Sequence, residues 1–94
     1  MLRFEWDEAK NRSNRAKHGI WFEEAQSVFD DPLARVFEDP EHSQGEVRFL
    51  IFGMSASGGR LVVAHCYRAA GDVVRIISAR RMTRPERKFY EERI

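Results

Sequence analysis

The sequence holds a single cysteine, Cys66, and one thiol excludes an internal disulfide and any multi-cysteine zinc site. In its strand-like surroundings Cys66 reads as a small buried apolar residue. Long hydrophobic runs are also missing. No stretch approaches the length that spans a bilayer, and the opening Met1-Leu2-Arg3-Phe4-Glu5-Trp6 lacks the basic start and apolar centre of a secretory signal. The expectation is a soluble, cytoplasmic protein with no membrane partner. Its three histidines, His18, His42 and His65, have no metal-ligand spacing, and Gly58-Gly59 lies in a hairpin rather than before a helix. Metal and phosphate-loop chemistry are set aside, and no cofactor is expected. Nothing repeats, and 94 residues leave room for one domain with a modest core, residues 1–94.

Lysine is scarce where positive charge is densest. Residues 1–47 carry 6 Lys+Arg against 11 Asp+Glu, and residues 48–94 carry 10 against 4. Nine of those ten cations are arginine, whose planar fork suits phosphate. The C-terminal half is therefore the cationic half. It centres on Val73 to Arg81, where β-branched residues at 73, 74, 76 and 77 predict a buried strand interrupted by Arg75, Arg80 and Arg81. A charge on such a strand costs free energy unless it is paired or reaches a cleft.

The remaining elements follow from spacing. Leu2 to Trp6 alternates as a short strand, and Asp7 caps a helix from Glu8 to His18 that Gly19 closes. On this helix Lys10, Asn14, Lys17 and His18 share a polar face, leaving Ala9 and Ala16 to approach the body. A second helix is predicted over residues 21–31, with Phe22, Ala25, Val28 and Phe29 facing the core. Strands are expected at 33–37, 47–54, 61–68 and from Val73, with an acidic loop at 39–45 in which His42 reads as solvated. Thr83 and Glu86 form a capping box with Pro85 in the first turn, opening a last helix over 84–93 with a thin apolar stripe. The order β-α-α-β-β-β-β-α gives an α+β fold, a twisted, mostly antiparallel sheet with helices on one face and a concave cationic surface on the other. A two-residue turn at Ala70-Gly71 would pair residue i with 141 minus i. Leu61, Val63, His65 and Tyr67 would then share a face with Val74, Ile76, Ser78 and Arg80, with Cys66, Arg68 and Arg75 opposite; a three-residue or bulged loop at the turn would slip the register by one and exchange these partners.

Cleaving RNA needs help in deprotonating the ribose 2′-OH, cations for the phosphorane, and an acid for the leaving 5′ oxygen. Arg68, Arg75, Arg80 and Arg81 are candidates for the charge and His65 for proton transfer. Alternatively, the arginines pair with acids of the same chain, such as Glu38 or Glu46, and His65 is a satisfied strand histidine. Cys66 beside His65 is no nucleophile pair, because neighbours on a strand point to opposite faces.

Phe4-Glu5-Trp6-Asp7-Glu8-Ala9-Lys10-Asn11, Asn14, Lys17-His18-Gly19-Ile20 and Phe22-Glu23-Glu24-Ala25 resemble the opening motif of the BrnT family of type II toxins. Gly59-Arg60-Leu61-Val62-Val63, His65, Tyr67-Arg68, Arg75-Ile76-Ile77-Ser78-Ala79-Arg80-Arg81, Glu86-Arg87 and Tyr90-Glu91 are similar to its second half. Met82 and Pro85 stand where many relatives have alanine and a basic residue. The resemblance implies a RelE-like ribonuclease toxin that works without a metal. It also implies a BrnA-type ribbon-helix-helix antitoxin as partner, in a heterotetramer that reaches operator DNA only through the antitoxin. Carried over by position, the Lys17-His18 pair, His65, Arg68, Arg75 and Arg80 are the matching polar positions; the expected site has His65, Arg68 and Arg80 as catalytic candidates, and Lys17, His18, Arg75 and Arg81 as substrate-binding ones. The expectation is that His65, Arg68, Arg75 and Arg80 converge with the Lys17-His18 end of the first helix on one cleft. Two other readings stand beside it: a nucleic-acid-binding module without catalysis, and a co-repressor subunit whose cationic face serves a protein partner.

Overall fold

The computed structural model describes residues 2–43 and 45–92. One sheet runs in the order β1-β5-β4-β3-β2, built from β1 (Arg3–Glu5), β2 (Arg35–Glu38), β3 (Phe49–Met54), β4 (Arg60–Arg68) and β5 (Val73–Arg81). Every pairing is antiparallel except at the edge, where β1 lies parallel to the start of β5. With α1 (Glu8–His18), α2 (Phe22–Gln26) and α3 (Arg84–Glu91) the element order is the one the sequence predicts. The caps are the predicted ones as well. Asp7 accepts from the Lys10 N–H, Gly19 closes α1 at φ 75°, and Thr83 with Glu86 completes a capping box on α3. The second helix is shorter than expected, giving way to a 3-10 turn at Ser27–Asp30. Arg93, the last residue of the predicted last helix, lies outside the described residues.

Two cores explain the layering. Ile51, Leu61, Val63, Val74, Ile76 and Ala79 pack on one face against Ile20, Phe22, Ala25 and Val28. On the other, Phe52 and Val62 pack with Met82 and Tyr90. The helices therefore do not all share one face: α2 and the end of α1 lie on the first, and α3 crosses to the second. The reason is legible in β3 and β4, where Ile51-Phe52 and Leu61-Val62-Val63 place apolar groups on both faces, and each face needs cover.

The β4–β5 register follows the expected rule only near the turn. Arg68, Tyr67, Cys66 and His65 pair with Val73, Val74, Arg75 and Ile76, but the ladder shifts between Ala64 and His65. Beyond it Ala64 pairs with Ser78, Val63 with Ala79 and Val62 with Arg80, leaving Ile77 as the extra residue of a bulge. The expected face is thereby corrected: Ser78 and Arg80 leave the side of His65 and join Arg75 and Cys66. The connection itself is a left-handed turn through Ala69, Ala70 and Gly71 at φ 53°, 56° and 94°.

Strand β1 covers the outer edge of β5 only as far as Arg75. From there a side chain takes over. Asn14 accepts the Ala79 N–H through Oδ1 at 3.0 Å and donates through Nδ2 to the Ala79 carbonyl at 2.9 Å, as a neighbouring strand would. Its amide also donates to the Ile20 carbonyl at 2.9 Å. Asn11 accepts from the Phe22 N–H at 2.7 Å and so satisfies the first donor of α2. Helix α1 thus docks through two buried asparagines, while Ala9 and Ala16, expected against the body, are exposed. Removing the Asn14 amide strands buried donors and acceptors at the β5 edge. Asn14→Ala should lower folding stability by about 3 kcal/mol, measured by urea denaturation.

Candidate functional site

The bulge sets Arg75, Ser78 and Arg80 along one face of β5, with Cys66, Ala64 and Val62 opposite them on β4. Arg80 is held by Glu86 of α3 through a fork of two bonds, Nη1 to Oε1 at 2.7 Å and Nη2 to Oε2 at 2.9 Å. Glu86 accepts in addition from the Thr83 N–H at 2.9 Å, so the residue that caps α3 also aims the arginine. Hydrogen bonds from Arg80 are the largest cause holding the Glu86 carboxyl down at about 2. A carboxyl depressed in the folded state stabilises above its usual value near 4.5, and that contribution is lost as pH falls towards 2.

Beside this arginine opens a cavity of about 410 Å³. Arg80 and Ser78 form one wall, Ala64 and Leu50 the floor, and Arg48 with Asp39, Glu41 and His42 the opposite wall. The loop that carries the far wall is tied down. Asp39 N–H donates to the Arg48 carbonyl at 2.8 Å, extending the β2–β3 ladder, and Ser43 Oγ donates to the Asp39 carbonyl while accepting from the Arg48 N–H. Within that loop His42 Nδ1 lies 3.0 Å from Asp39 Oδ2, the imidazole 61% exposed and the carboxylate 15%.

Ser78 also lines a smaller cavity of about 180 Å³, together with Lys10, Ser13, Lys17 and His18 of α1. The Lys17-His18 end of the helix therefore meets β5 from its outer edge at the residue that Arg80 and Arg75 flank. None of His65, Arg68, Arg75 and Arg80 lines this cavity; Ser78 alone is shared with the cavity of Arg80.

The expected single cleft is not formed. His65 is fully buried on the opposite face, its ring edge-on to Phe29 at 4.9 Å and near Phe49. The Val63 carbonyl can only accept, so Nδ1 carries the proton and donates to it at 3.1 Å, leaving Nε2 to accept from the Tyr67 hydroxyl at 3.2 Å. Burial lowers its pKa, and this is a core histidine. Arg75 pairs with Glu5 at 3.0 Å, and Arg68 with Glu5 at 3.4 Å and Glu46 at 3.2 Å. These are internal partners of the kind the alternative reading foresaw, with Glu46 among them. Arg81 lies exposed in a third cavity with Arg60, Arg87 and Gly58-Gly59. Arg48 is not singled out by the sequence reading, in which His42 is a solvated loop residue. The available signal was Asp39 three residues before His42 in a proline-bearing turn, and Arg48 at the foot of the same hairpin. The cavity joins anion-binding arginines, a hydroxyl and a solvent-facing imidazole on a carboxylate, a set able to bind a phosphodiester and move a proton. Among the described residues no three His, Cys, Asp or Glu stand together to hold a metal ion, and no helix is long and apolar enough to cross a membrane.

The family profile described as "Ribonuclease toxin, BrnT, of type II toxin-antitoxin system" matches residues 6–86. Among solved structures, this chain is similar to the crystal structure of the Brucella abortus ribonuclease toxin BrnT. The TM-score is 0.69 at 22% identity, over 89% of this chain and 100% of that one, a likeness of fold. No curated protein matches. With most of its length under the family profile and the fold in agreement, the chain belongs to the BrnT family, the ribonuclease toxins of type II toxin-antitoxin systems.

Proposed function

We propose that this endoribonuclease cuts single-stranded RNA in the cytoplasm, without a metal, by attack of the ribose 2′-OH on the adjacent phosphorus. The observation that carries this reading is the shared face of Ser78 and Arg80, opened to Arg48 on one side and to Lys17 and His18 on the other. Arg80, pre-aimed by Glu86, stabilises the charge that develops on the phosphorane. Lys17, His18 and Arg81 hold flanking phosphates, which fixes the strand without reading its sequence. Arg75 and Arg68 stay with Glu5 and Glu46 and shape the face rather than react, and His65 packs the core beneath it.

The partner in this reading is a ribbon-helix-helix antitoxin of the BrnA type, in a heterotetramer of two toxins on a two-fold antitoxin dimer that represses the shared operon. Helix α3 is the natural grip. Besides Tyr90 it docks through polar anchors, Arg80 to Glu86 and Arg60 to Glu91 at 2.5 Å, and Phe89 stays partly exposed between Phe37 and Arg35. A partner on α3 acts directly on the residue that aims Arg80. A protein that only binds RNA, or only co-represses, would carry the same charge but cut nothing.

Arg80→Ala should lower cleavage about 100-fold or more while weakening RNA binding by less than about tenfold, read by gel assay and filter binding on the same RNA. Equal losses in both would favour the non-catalytic binder. Substrate lacking the 2′-OH at the cut site should resist completely, and a chelator should leave the rate unchanged. Hydrogen exchange should slow in Arg84–Glu91 when the antitoxin binds, and equal exchange in both states would count against α3 as the grip.

A further inference from the structure

We propose that the wall facing Arg80 completes the catalytic site, with His42 as general base and Asp39 as the residue that positions it. The inference rests on the ribonuclease reading above and names the proton acceptor that the reading otherwise lacks, because His65 is enclosed on the other face. His42 is the histidine of the Arg80 cavity, and three features fit it for the role. Its Nδ1 is engaged by Asp39 at 3.0 Å, which fixes the tautomer with the proton on Nδ1 and leaves the Nε2 lone pair to accept. Its loop is tied to the β2–β3 hairpin by the Asp39 and Ser43 hydrogen bonds, so the ring is carried on a fixed platform. Arg80 stands across the cavity and Arg48 on the same wall as His42, and these are the cations that a scissile phosphate would meet.

The chemistry balances without a co-reactant. His42 Nε2 takes the 2′-OH proton as the 2′ oxygen forms a bond to phosphorus, and the P–O5′ bond breaks. Arg48 and Arg80 carry the phosphorane charge. An in-line displacement places the leaving oxygen on the side away from the base, so a water protonates the 5′ oxygen and the imidazolium returns its proton to solvent. The products are a 2′,3′-cyclic phosphate and a 5′-hydroxyl. Leu50 and Ala64 give the floor an apolar surface for the sugar.

The test uses the intact toxin on total bacterial RNA, with cut ends mapped and rates taken on a synthetic oligoribonucleotide that contains one mapped site. His42→Ala should lose about 100-fold or more in rate with RNA binding unchanged, and added imidazole should restore cleavage in proportion to its concentration. Asp39→Asn should lower kcat with KM held, a split that a merely structural role would not give. A His42→Ala rate within about threefold of wild type, or a loss that imidazole does not restore, overturns the proposal. A wild type that cuts no RNA instead refutes the ribonuclease site as a whole, and the two failures are told apart because the variant is read only against an active parent.

Discussion

One extra residue in β5 governs the rest of the molecule. Without the shift between Ala64 and His65, strict alternation would turn Arg80 to the same face as His65, into the core that Phe22, Ala25, Val28 and Leu61 help to fill. A guanidinium there would be stranded. With the shift, Ile76 and Ala79 keep the apolar face while Arg75, Ser78 and Arg80 hold the other. The same irregularity falls where β1 has ended, and Asn14 closes the edge that is left. A bulge thus supplies the arginine-bearing face, and a side-chain amide holds its edge.

Charge on that face is managed by internal carboxylates, each at a different strength. Glu5 and Glu46 hold Arg75 and Arg68 through exposed, mostly single contacts that are worth little in water. Glu86 grips Arg80 with a two-bond fork and is itself built into the start of α3. The stability of the last helix and the aim of the arginine are therefore one property. A partner that shifts α3 moves Arg80, and a substrate that pulls on Arg80 loads the helix cap.

Much of the fold was legible in the sequence because its signals are local. Asp7, Gly19 and the Thr83-Glu86 box mark helix ends by chemistry confined to one turn, and Val73 to Arg81 was bounded correctly by its β-branched residues. The family resemblance was legible for the same reason. What escaped was set by long-range pairing. The bulge has no local mark, so Arg80 was placed on the wrong face and His65 in the site rather than the core. Asn14 looked like one more polar residue on a solvated helix, because only the folded chain brings the bare edge of β5 beside it. His42 reads as solvated in the sequence for a related reason: only the folded hairpin sets this loop residue in one cavity with an arginine 38 positions further along the chain.

The central claim is that RNA lies against the Ser78–Arg80 face and not across the Glu5, Glu46, Arg68 cluster at the other end of β5. Amide chemical shifts of the toxin, followed by NMR while an oligonucleotide blocked by 2′-deoxy substitution at the cut site is titrated in, address it directly. The account predicts shifts concentrated at residues 39–43, Arg48, Ser78 and Arg80, with a second group at Lys17 and His18. Shifts confined to Glu5, Glu46, Arg68 and Arg75, with the Arg80 cavity silent, would contradict it.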